Sequence, residues 1–90
     1  MAAVEPIRDW HQIAVEMLMN DADLALQTIA ALFAEDDKEA VARLVRNTRS
    51  VYESILERRR EITLSAREGS LLDDKMDRLR ARLKFMGESI

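Results

Sequence analysis

Apolar positions along the chain fall into three helical stripes. The first runs His11, Val15, Leu18, Ala22, Ala25, Ile29, Leu32, in steps of four and three. Trp10, Ala14, Met17, Leu26 and Phe33 widen it. Pro6 suits the first turn of a helix, where its missing N–H costs nothing. The pattern predicts a helix over residues 6–34, after a frayed arm at 1–5. Asn20-Asp21-Ala22-Asp23 interrupts the apolar run, and Asn20 can cap a new helix there. A break at 20–23 would make four helices of three. The stripe keeps its phase through these residues, which favours one helix.

The second stripe is the longest and organises the reading. Val41, Leu44, Val45, Thr48, Val51, Tyr52, Ile55, Leu56, Ile62 and Ala66 recur at helical spacing, with no Gly or Pro between 37 and 68. Asp36 with Glu39 three residues on is a start signal, and Gly69 can close the helix in the left-handed conformation. The prediction is a helix over 37–68, a rod of roughly 46 Å.

Ser70 with Asp73 then starts a third helix, predicted over 71–88. Leu72, Met76, Leu79, Leu83, Met86 and Ile90 form a narrow seam of the coiled-coil type. The connections are short, which makes neighbouring helices antiparallel. The expected fold is all-α: one domain, a long antiparallel hairpin with a shorter third helix folded back on it, a three-helix bundle.

Unequal lengths carry a consequence. A last helix of about 18 residues spans roughly 27 Å and covers only half of the hairpin. The other half carries Leu26, Ile29, Leu32, Phe33, Val41, Leu44 and Val45. An apolar patch of that extent marks an interface. A second copy placed by a two-fold axis is the simplest cover, so a homodimer is expected.

Composition narrows the function. Ninety residues allow one thin core. Apolar residues at 48% with charged residues at 34% describe a globular chain. Cysteine is absent, which excludes disulfides, thiol catalysis and thiolate metal sites, and fits a reducing, cytoplasmic setting. The first residues lack a basic region and a following apolar run, so no signal peptide is expected. No apolar run is long enough for a membrane span.

The net charge of -3 divides unevenly. Residues 1–39 hold two basic and nine acidic groups, and the remainder twelve basic and eight acidic. Opposite charge between the first segment and the rest helps to fix orientation, within one chain or between two.

Candidate chemistry is sparse. His11 is the only histidine, and Asp9 lies off its helical face. Histidine phosphotransfer domains carry a lysine and a glycine just after their histidine; here Gln12 and Ile13 follow. Glu53, Glu57 and Glu61 share a face but lie among Arg49, Arg58 and Arg60, as on a solvated surface. Leu56-Glu57-Arg58-Arg59 resembles the arginine-bearing turn of helical chorismate mutases. That family also needs a lysine further along the helix, and none lies between Lys38 and Lys75. Short helical-hairpin export chaperones of flagella are similar in size and layout, without a shared motif.

These features imply no catalytic residues, no metal, no cofactor, no small-molecule substrate and no membrane contact. The expected function is a protein–protein interaction module, self-associating or adaptor-like and chaperone-like, not an enzyme. The alternative is a nucleic-acid-associated or regulatory protein using the Arg58–Arg60 basic patch. Interleaved Glu57 and Glu61 and the lack of aromatic platforms weigh against it.

Overall fold

The computed structural model describes residues 6–90, and side chains from Trp10 onward. The expected arm at 1–5 lies outside the described residues. Three α-helices follow one another: α1 (Pro6–Ala31), α2 (Lys38–Arg59) and α3 (Ala66–Phe85), with a short 3-10 turn at Leu32–Ala34. There is no strand among the described residues. The three helices pack on one another as a bundle, and α1 does not break at 20–23. No helix among them is long and apolar enough to cross a membrane.

The organising helix is α1, not the 37–68 stretch. Both α2 and α3 lie along α1 and touch each other far less. The α1 stripe explains this. Val15, Leu18, Ala22, Ala25, Ile29 and Leu32 are all buried, while His11 at its start is exposed. Ala22 and Ala25 let the neighbouring helices approach closely. Against this stripe α2 sets Val45, Thr48, Tyr52 and Ile55, and α3 sets Leu72, Met76, Leu79 and Leu83. Among the described residues Thr48 is the buried polar side chain, and its hydroxyl donates to Leu44 O at 2.8 Å, so the group is satisfied.

Three boundaries differ from the sequence expectation: the end of α2 and both ends of α3, which stops at Phe85 and not at 88. Helix α2 does not run to residue 68. Its last bonds tighten at Arg60, Glu61 and Ile62, each N–H donating to the carbonyl three residues back. Ile62 and Leu64 then turn inward against the core. Helix α3 begins at Ser65, not at Ser70. Glu68 N donates to Ser65 Oγ at 3.1 Å and Ser65 N donates to Glu68 Oε1 at 2.9 Å, a complete capping box. Gly69 therefore sits inside α3 instead of closing α2. The helix-closing glycine is Gly87, at φ +102°. Around it Glu88 N donates to Leu83 O and Gly87 N to Lys84 O, a Schellman closure that ends α3 at 85.

A smaller shift affects the start of α2. Asp37, not Asp36, is the N-cap, accepting from Glu39 N at 3.0 Å and Ala40 N at 3.2 Å.

These boundaries make the helices nearly equal. Twenty-two residues in α2 and twenty in α3 correspond to about 33 and 30 Å. The length mismatch behind the expected half-covered hairpin is absent. Leu83 joins the core with Ile29, Leu32 and Val45, and Met86 and Ile90 pack against that cluster.

Candidate interaction surface

The seven residues expected at an interface divide three ways. Ile29, Leu32 and Val45 are buried within one chain. Leu26, Val41 and Leu44 are half-buried and pack on the core cluster. Phe33 is exposed and meets Phe85 of α3, ring centroids 5.7 Å apart and planes tilted by 50°. Because α2 ends at Arg59, α3 runs back along most of its length, and Leu83 packs in the core with Ile29, Leu32 and Val45 while Phe33 and Phe85 stay exposed.

A different apolar surface is left open. Trp10, Met17 and Leu24 recur at intervals of seven on α1, with Ile13 beside them. They are 69%, 52%, 59% and 44% exposed. The core stripe and this second stripe lie on different sides of the same helix. In the sequence pattern Trp10 and Met17 only flank the core stripe, and Ile13 and Leu24 belong to none of the three stripes. Their seven-residue spacing was the available signal, hidden because the core repeat dominates α1.

The stripe borders a groove between α1 and α2. Asp21, Leu24, Ala25 and Thr28 form one wall and floor; Leu44, Asn47, Thr48, Val51, Ser54 and Arg58 form the other. The groove measures about 590 Å³ and its floor is built from small side chains. A second hollow continues it toward the start of α1, between Ala14, Met17 and Leu18 on one side and Glu61 and Ile62 on the other. Arg58 borders both hollows.

Arg58 is fixed there by Asp21, its Nη2 donating to Asp21 Oδ2 at 2.7 Å. Its Nε is buried without an acceptor among the described residues. Arg59 turns the other way and donates to Asp73 of α3. This contact holds the Asp73 carboxyl below the usual aspartate range and raises the Arg59 guanidinium. Hydrogen bonds to Glu88 and then Glu53 raise the Arg49 guanidinium in the same way. Two of the three arginines in the Arg58–Arg60 patch are thus committed to ion pairs within the bundle.

His11 is exposed near the start of α1. Among the described residues no three His, Asp or Glu side chains converge as metal ligands would. Comparison with known proteins gives no match: no family model, no curated protein and no solved structure is significantly similar to this chain.

Proposed function

We propose that this chain is a protein–protein interaction module without catalytic activity of its own, acting through the second stripe of α1 and the groove beside it. One observation carries the reading. Four large apolar side chains line up on a face of α1 that its own core does not use. Scattered exposed apolar residues need no explanation, but a row of four along one helix beside a groove has the character of a docking surface. The polar groups at the groove support binding over chemistry. Asp21 and Arg58 neutralise each other, and Thr48 is spent on a backbone carbonyl. The other hydroxyls at the groove, Thr28, Ser50 and Ser54, have no histidine or lysine beside them among its described lining residues.

A photo-crosslinking side chain tests this in producing cells. Placed at Leu24 it should yield protein adducts, and placed at the exposed Arg67 of α3 it should not. Leu24→Glu should abolish adducts from a crosslinker at Met17 while leaving the fold intact. No adduct from α1, or equal labelling from both helices, would remove the basis of the proposal.

A further inference from the structure

We propose that the groove between α1 and α2 receives the first helix of a second copy, docked antiparallel across a two-fold axis at Met17. This rests on the interaction reading above and names its partner.

The stripe is its own complement. Trp10 and Leu24 lie seven residues to either side of Met17. An antiparallel α1 pair centred on Met17 therefore sets each Trp10 opposite the other copy's Leu24, and Met17 on Met17. A two-fold contact requires this self-matching. Ile13 falls opposite Asp21, whose charge Arg58 already neutralises.

The shapes fit as well. Ala14, Met17 and Leu18 stand beside Ile62, past the last turn of α2. The turn before them projects beyond that end, and Trp10, His11, Gln12 and Ile13 are all exposed. In the pair, this overhang of one copy lies along the groove of the other, at the level of Asp21 and Leu24. There the small floor of Ala25 and Thr48 leaves space for an indole. Each copy supplies one overhang and one groove, so both grooves are filled and the assembly closes at two.

The area suffices. Complete burial of the exposed parts of Trp10, Ile13, Met17, Leu24 and Val51 would remove on the order of 500 Å² per chain, and the two-fold doubles this to roughly 1,000 Å², the lower bound for a specific interface. Trp10 opposite a small-floored hollow has the character of an interface anchor.

Cysteine scanning tests the register, because the chain has no cysteine of its own. Met17→Cys should form an interchain disulfide under mild oxidation. Trp10→Cys alone should not, since the two sites would lie about 21 Å apart across the axis. A mixture of Trp10→Cys and Leu24→Cys chains should cross-link to each other. Light scattering at micromolar concentration should give twice the 10.3 kDa chain mass. Met17→Glu should give a monomer of unchanged helicity, its single tryptophan shifted to the emission of an exposed indole.

A wild-type monomer, or disulfides from Trp10→Cys alone, would overturn the antiparallel pair. Those results differ from failure of the interaction reading. A monomer that still yields adducts from Leu24 in cells keeps that reading and loses this one; no adducts at all loses both.

Discussion

Asp21 and Asp23 stand two residues apart on α1 and are tied to different helices. Asp21 accepts from Arg58 of α2 at 2.7 Å, and Asp23 from Lys75 of α3 at 2.6 Å. Between them Ala22 is fully buried. The polar segment that suggests a break is thus the waist of the bundle, gripped on both flanks. These side chains are about a third exposed or more on at least one partner. Each pair is therefore expected to contribute under about 1 kcal/mol. A double-mutant cycle of Asp21→Asn with Arg58→Gln, read by urea denaturation, should return a coupling in that range, reduced by salt. A coupling of several kcal/mol would mean that the pair is more desolvated than its exposure indicates.

The core should respond on a larger scale. Ile55 and Leu79 are fully buried in the cluster around α1. Truncation to Ala at either site should cost about 2–5 kcal/mol, from lost burial plus the cavity left behind. Leu79→Asp or Ile55→Asp should prevent folding, because an unpaired charge would enter an apolar interior. Leu24→Ala on the exposed stripe removes no contact of the core cluster, so in chains diluted until they are monomeric it should change the melting temperature little. Similar losses at Leu24 and Leu79 would contradict the division between core and outer stripe.

The seams were legible in the sequence because burial repeats. Six of the seven positions in the first stripe are buried, and four of the six in the last. The helix boundaries were less legible, because the chain offers two rival start signals five residues apart. Ser65 with Glu68 and Ser70 with Asp73 have the same spacing. Propensity alone does not choose between them. Ile62 and Leu64 choose, because only an ended α2 lets both turn onto the core. The outer stripe stayed hidden for a related reason. Its exposure depends on where α2 and α3 lie around α1, and this is a tertiary fact.

The caps translate directly into a measurement. Ser65→Ala removes the acceptor for Glu68 N and should cost about 1 kcal/mol. Ser70→Ala, inside α3 and exposed, should be neutral or slightly stabilising. Chemical denaturation of both variants checks the order. A larger loss at Ser70 would return the helix start to the later signal.

Acid should weaken the contact between α2 and α3. The hydrogen bond from Arg59 lowers the Asp73 pKa in the folded chain. A carboxylate with a depressed folded pKa contributes stability above its unfolded value of about 3.9 and loses it as pH falls through the folded value. Asp73→Asn should therefore flatten the decline of stability below about pH 4. It should have a small effect at neutral pH, since the group is exposed. An unchanged acid limb would show that Asp73 is not linked to folding.

The two glycines give opposite expectations for one substitution. Gly69 lies in the first turns of α3 with helical backbone, and a Cβ built there comes no closer than 3.6 Å to the nearest atom, Arg59 Nη2. That is ordinary contact, so alanine fits without displacing the Arg59–Asp73 pair. It also narrows the unfolded ensemble, and Gly69→Ala should stabilise by about 0.5–1 kcal/mol. Gly87 holds φ +102°, which an L side chain rarely adopts, although open space surrounds it. Gly87→Ala should therefore destabilise by about 1 kcal/mol or more, through backbone strain and not through a clash. Had Gly69 closed a helix in the left-handed conformation, alanine would destabilise there instead. Thermal melts of the two variants decide the point by sign alone: Gly69→Ala should rise above the wild type and Gly87→Ala should fall below it.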